Sequence, residues 1–246
     1  MPMRLRLLGL VAALMPMTAA TAELNLAVAA NFRAPLEQLV RQFDPRQQHT
    51  IAISSASTGV LYTQIRQGAP FDIFLAADRA RPERLAREGA GLAHTRMTYA
   101  IGRLALWQPG RQPDSLNDLL PAPLALANPK TAPYGLAAQQ ALGASGRDQG
   151  IRRIQGSNIA QAFQFVHSGN APQGLVAHAQ LVQLQIPTRE WTLVAAELHA
   201  PIEQQLIQLQ RSADNPLAER FLQFMQSDTA RRMIQAGGYQ VPHAAD

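Results

Sequence analysis

Apolar residues fall along this chain in two alternating patterns. Residues 24–29, Leu24-Asn25-Leu26-Ala27-Val28-Ala29, are small and apolar with one polar position, and they predict a short buried strand. From Phe32 the spacing changes. Phe32, Leu36, Leu39, Val40 and Phe43 recur largely at i, i+3, i+4, i+7 and predict a helix. Asn31 sits at the junction, where it can cap the helix or serve an anion beside the helix-start N–H groups. The theme returns at once: a strand over 50–54, a hydroxyl-rich turn over 55–59, and a helix over 60–67 stopped by Gly68. Residues 71–78 are continuously apolar except for Asp72 and Asp78, as in a parallel sheet covered on both faces. A charged helix over 81–88 and a long strand over 98–107 follow. The βαβαβ order predicts a doubly wound α/β lobe.

The second half repeats the alternation. A Pro-rich connection over 109–123 leads to a buried strand over 124–127, broken by Asn128-Pro129. Thr131 to Gly135 introduces an Ala-rich helix over 136–142. Asn158 precedes a helix with Ile159, Ala162, Phe163 and Val166 on one face, and a strand over 174–177 comes next. Strands are expected over 191–196 and 204–209, the latter polar and exposed. The last two helices, over 216–226 and after Ser227-Asp228, have no strand behind them and are expected to fold back on the first lobe. The predicted fold class is therefore α/β with two lobes, two chain crossovers and a cleft between the lobes. The expected boundaries are 23–102 with 210–246 for lobe 1, and 103–209 for lobe 2.

Composition and charge narrow the setting. Residues 1–22 carry Arg4 and Arg6, an apolar run over 7–17, and Ala20-Thr21-Ala22 at the end. This is the pattern of a secretory signal peptide cleaved after Ala22, with an apolar run too short to span a bilayer. The product is expected in the periplasm. The chain has no Cys, which excludes disulfides and a lipid-modified N-terminal Cys. The formal net charge of +5 includes both leader arginines, and no basic cluster exceeds two residues. Nucleic-acid binding is not supported. No Gly-x-Ser-x-Gly turn occurs, and the six His residues form no His-x-x-x-His pair. Both facts argue against a periplasmic enzyme or a protein-held metal. The absence of a DNA-binding helix pair argues against a transcriptional effector-binding domain. What remains is a cleft with two strand-to-helix turns rich in amide and hydroxyl groups, chemistry suited to an anion.

Several stretches also resemble one family. Ala29-Ala30-Asn31-Phe32, the turn from Ser54 to Gly59, the run from Gln64 through Gly68-Ala69-Pro70-Phe71-Asp72 to Phe74, and Asn128-Pro129 with Ala132-Pro133-Tyr134-Gly135 are similar to the periplasmic molybdate-binding proteins. These are the substrate-binding components of molybdate ABC transporters, and the similarity spans the chain after the leader. The resemblance implies a type II-like periplasmic binding protein, a monomer with no cofactor and no catalysis. It would close over molybdate or tungstate and deliver the ion to a cognate permease. Sulfate or another tetrahedral oxyanion is the close alternative. The resemblance puts the first ligand loop on Ala30 and Asn31, and the second on Ser57 or Thr58, with the register open. The third falls on Tyr134 and the fourth on the backbone N–H of Ile159. A fifth position, Tyr in some members, falls on Ala177 beside His178. The expectation is that the Tyr134 hydroxyl supplies the donor that Ala177 lacks. On the family pattern Asp72 and Asp78 are structural, capping or pairing at a strand end.

Overall fold

The computed structural model describes residues 23–242; the expected leader, 1–22, lies outside them. The first lobe opens with β1 (Glu23–Ala29), α1 (Arg33–Phe43), β2 (Thr50–Ala56), α2 (Thr58–Arg66), β3 (Ile73–Leu75), α3 (Ala80–Arg87) and β4 (Met97–Gly102). The second contains β5 (Leu104–Trp107), β6 (Leu124–Ala127), α4 (Pro133–Ala144), β7 (Arg153–Gly156), α5 (Ile159–His167), β8 (Gln173–Ala177), α6 (His178–Gln183) and β9 (Trp191–Leu193). β10 (Ile202–Gln208), α7 (Pro216–Met225) and α8 (Asp228–Ala236) return to the first.

Each lobe is built on a five-stranded mixed sheet, ordered β2-β1-β3-β10-β4 and β7-β6-β8-β5-β9. Register decides where the loops meet. β1 and β2 run parallel and level, with Glu23 opposite Thr50 and Ala29 opposite Ala56. The turns that follow, at Ala30-Asn31 and Ser57-Thr58, therefore emerge side by side at the C-terminal edge of the sheet, where open α/β sheets bind ligands. β6 and β7 do the same in the second lobe, from Leu124 opposite Arg153 to Ala127 opposite Gly156. Their turns lead into α4 and α5.

The apolar stripe read from Phe32 onwards is buried. Phe32, Leu36 and Leu39 join Leu24, Leu26 and Val28 in one core. Phe221 and Ile234, from the last two helices, complete that core, so those helices do fold back on the first lobe. Phe43 meets Phe221 edge-on with ring centroids 5.3 Å apart. A second core forms under α4, where Ala137, Ala138 and Ala141 allow close approach to Leu126 and Leu175.

Two expectations need correction. The strand expected over 98–107 is two strands in different sheets, broken at Arg103, because the chain crosses between lobes there. The polar strand expected to be exposed in lobe 2 is β10. It lies in the first sheet between β3 and β4, and Gln204, Gln205 and Gln208 on it are buried. The second crossing thus comes before Ile202 rather than after Leu209. β10 tolerates these amides because each is hydrogen-bonded: Gln204 to Tyr134, Gln205 to Thr98, Gln208 to the Ser212 carbonyl.

Candidate functional site

The turns of both lobes converge on one small cavity. Its walls are Ala29, Ala30, Asn31, Ser57, Thr58 and Ala77 from the first lobe, and Ala132, Pro133, Tyr134, Asn158 and Ile159 from the second. All six expected site residues, Ala30, Asn31, Ser57, Thr58, Tyr134 and Ile159, are brought together there. The cavity measures about 10 Å³, close to the room one water needs. None of these lining residues is charged. Among the described residues no group of three His, Asp or Glu is placed to hold a metal ion.

What the walls offer is hydrogen-bond donors. Thr58 is the first residue of α2, Tyr134 the second of α4 and Ile159 the first of α5. N–H groups at these positions have no acceptor within their own helix, and the helix dipoles add partial positive charge. Asn158 keeps α5 wound by accepting from the Gln161 N–H at 3.0 Å. Pro133 at the start of α4 has the φ that a first helical residue needs.

The adjacent hydroxyls of Ser57 and Thr58 have different fates. Thr58 Oγ1 accepts the Ala77 N–H at 3.1 Å, tying α2 to the end of β3. Ser57 Oγ is buried and has no partner among the described residues. Ser57 holds the N-cap position of α2 without capping it. The Gly59 N–H, one such cap's usual donor, instead crosses to the Thr131 carbonyl of the other lobe at 2.8 Å.

Asn31 is not a cap; it lies within a 3₁₀ turn, Ala30–Phe32. Its amide is already engaged, donating to Gln204 Oε1 at 2.8 Å and to the Tyr239 hydroxyl at 3.1 Å. The Asn31 side-chain nitrogen is thus committed within the protein, and its main-chain N–H lies in the turn that borders the cavity. Tyr134 departs from expectation in the same way. Its hydroxyl accepts from Gln204 Nε2 at 3.3 Å at the crossing between lobes. It is therefore turned to Gln204, and the polar group it leaves for the cavity is its N–H. Burial holds the Tyr134 and Tyr99 phenols well above the usual range, so both remain protonated.

Ala177 does not line the cavity; it is buried in the second core with the Tyr134 ring. His178 Nδ1 lies 3.0 Å from the Gly238 carbonyl. Since a carbonyl only accepts, that nitrogen carries the proton. Burial lowers the His178 pKa, against a smaller opposing effect of the Gly238 carbonyl. Asp72 accepts the Asn25 N–H at 2.7 Å and pairs with Arg211 at 2.8 Å, while Asp78 pairs with Arg81. Both carboxylates lie outside the cavity wall.

Residues 24–240 match the family model of the bacterial extracellular solute-binding proteins. The chain is 40% identical over 237 residues to the molybdate-binding protein ModA of Azotobacter vinelandii, covering 93% of this chain and 94% of the relative. It is 36% identical to the molybdate-binding protein ModA of Rhodobacter capsulatus, covering 90% and 89%. The solved periplasmic molybdate-binding protein of A. vinelandii superposes with a TM-score of 0.83 at 36% identity, over 89% of this chain and 100% of that one. The sulfate-binding protein SubI of Mycobacterium tuberculosis shares the fold, with a TM-score of 0.71 at 13% identity, over 89% and 87%.

Proposed function

The chain belongs to the bacterial extracellular solute-binding proteins and, within them, to the molybdate-binding proteins, and we propose that it captures molybdate in the cavity between its lobes. Tungstate, of the same shape and charge, is proposed as a second ligand. The observation that carries this reading is the buried, unpartnered Ser57 hydroxyl among helix-start N–H groups in an uncharged cavity. A dianion buried without a counter-charge must have its oxygens saturated by donors. Hydrogen bonds to a charged group contribute about 1.5–3 kcal/mol each. Several together, from Ser57 and the N–H groups of Asn31, Thr58, Tyr134 and Ile159, offset the lost hydration. Neutral donors also favour release, because opening the cleft leaves no buried cation unpaired. We further propose that the mature protein works as a monomer in the periplasm, after loss of residues 1–22, and hands the ion to an ABC permease.

Size is the proposed basis of selectivity, since molybdate and tungstate have longer bonds to oxygen than sulfate. A partly protonated phosphate would bring a donor to a wall of donors. The test is a melting scan. Ligand at a hundredfold excess over Kd stabilises by about 2.7 kcal/mol. For a chain of this length about 1 kcal/mol moves Tm by roughly 2–4 °C. Molybdate and tungstate are expected to raise Tm by about 5–10 °C, and sulfate and phosphate by far less. A sulfate shift equal to that of molybdate would reassign the ligand, and no shift with any oxyanion would remove the reading.

Closure gives a further prediction. A Cβ on Gly59 would lie 3.0 Å from Thr131 Cα, Thr131 O and an Arg81 guanidinium nitrogen. Gly59→Ala favours helix α2 by about 1 kcal/mol but props the lobes apart. The expected result is a ligand-free protein at least as stable as the parent, with molybdate affinity lower by roughly three- to tenfold. Calorimetry with denaturant unfolding measures both; unchanged affinity would place lobe contact elsewhere.

A further inference from the structure

Gln204 is not part of the cavity wall, yet it joins the two loops that bear its donors. It is fully buried on β10, opposite an irregularity in β4. Gln204 pairs with Ala100 and Gln205 with Thr98, so Tyr99 is an extra residue in the ladder. Such bulges re-aim side chains next to functional sites. Gln204 Oε1 accepts from Asn31 Nδ2 at 2.8 Å and from the Tyr99 hydroxyl at 3.2 Å. Gln204 Nε2 donates to the Tyr134 hydroxyl at 3.3 Å. The amide orientations follow from chemistry. The Tyr239 hydroxyl gives its proton to the Asn31 carbonyl, so the Asn31 side-chain atom facing it must be the donor Nδ2, and the Gln204 atom facing that Nδ2 must be an oxygen.

We propose that Gln204 is a positioning residue that couples closure of the lobes to alignment of the oxyanion donors, a role that rests on the oxyanion-binding reading of the cleft. Asn31 carries a donor of the first lobe and Tyr134 one of the second. One carboxamide grips both side chains, and both residues lie in turns that border the cavity. The first loop is held twice more. The second amide proton of Asn31 goes to the Tyr239 hydroxyl, whose own proton returns to the Asn31 carbonyl at 2.8 Å. Space for the bridge is reserved at the crossing itself. A Cβ on Gly102 would lie 2.1 Å from the Tyr134 hydroxyl oxygen and 2.9 Å from Gln204 Nε2. A side chain at 102 would therefore push the Tyr134 loop off the bridge. Without the bridge each loop settles alone, and the ion must bear the cost of aligning them. That cost appears as faster release of the bound ion.

The test compares the parent with Gln204→Met, Tyr134→Phe and the double variant. The chain has no Cys, so Gln38→Cys and Leu184→Cys, on opposite sides of a groove lined by α1 and α6, accept a pair of fluorescent labels. Molybdate dissociation rates and the label-to-label distance are measured with and without molybdate. Each single variant is expected to bind about tenfold more weakly through faster dissociation, and the double variant no more weakly than either single. Single variants that melt earlier but bind and release molybdate like the parent would reduce the network to a stability device and overturn the proposal. Effects that multiply in the double variant would overturn it too, by placing the Tyr134 hydroxyl on the ion. Should Gln204→Met not fold, Tyr134→Phe, which loses one oxygen, carries the comparison of affinity and rate. Should the parent bind no oxyanion, the functional reading falls, and the ligand-free distances decide. A broader distribution in Tyr134→Phe or Gln204→Met than in the parent supports the coupling, and an unchanged one overturns it.

Discussion

Ser57→Ala is expected to weaken molybdate binding by about 1.5–3 kcal/mol, roughly ten- to a hundredfold or more, without destabilising the ligand-free protein. Ser at an N-cap ordinarily holds the first turn, and its loss costs about 1 kcal/mol. Here the hydroxyl makes no capping bond, and the donor it would take is bound to Thr131 across the cleft. Removing a buried hydroxyl that has no partner among the described residues relieves its desolvation rather than breaking a bond. The neighbour gives the opposite pattern. Thr58→Val takes the acceptor from the buried Ala77 N–H and should cost about 1–3 kcal/mol of stability, with a smaller effect on affinity. Calorimetric titration and urea unfolding of both variants separate the two roles. If Thr58→Val loses the affinity and Ser57→Ala keeps it, the ligand hydroxyl is that of Thr58.

The choice between these hydroxyls shows where the sequence stops being informative. Residues 54–59 are visibly a hydroxyl-rich turn before a helix. Which oxygen faces the cleft depends on whether a residue is the N-cap or the first helical residue, a difference of one position at a boundary that patterns resolve poorly. The strands were legible for a simpler reason. β1, β3 and β6 are covered on both faces, so they read as continuous apolar runs. β7, Arg153–Gly156, has one apolar side chain at a sheet edge and leaves no such run. β10 misled because its glutamines look like a solvated strand. Their partners lie far off in sequence: Asn31 is 173 positions from Gln204 and Tyr134 is 70. Side-chain bonds at such separations leave no periodicity to read.

The same distance explains the two reassigned side chains. Asn31 was recognisable as a site position from its place between strand and helix and from the family pattern, and Tyr134 from the family pattern alone. Both do border the cavity. That their polar side chains turn away to Gln204 follows only from the folded arrangement, in which β10 passes between β3 and β4. A cavity in which the amide nitrogen of Asn31 and the hydroxyl of Tyr134 are committed to Gln204 relies on Ser57 and on main-chain N–H groups, and the latter do not depend on residue type.

Ile159→Pro tests such a main-chain donor directly, and it is expected to weaken molybdate binding by roughly ten- to a hundredfold relative to Ile159→Ala. Proline removes the N–H and fixes φ near −65°, both tolerated at the first position of a helix. Ile159 is that position in α5. The residue before a proline must be extended, and Asn158 already is, with φ −152° and ψ 175°. The cap bond from Gln161 N–H to Asn158 is untouched by the change. Ile159 is buried, so either replacement removes core packing, at about 2–5 kcal/mol for the alanine. Comparing proline with alanine cancels most of that loss and isolates the N–H. Both proteins should melt early, and both should be titrated at a temperature where they are folded. Equal affinities would take the α5 start off the ion. An affinity lost only in the proline variant would show that a single backbone hydrogen carries the difference, as it must in a cavity whose walls hold no charge to compensate for it.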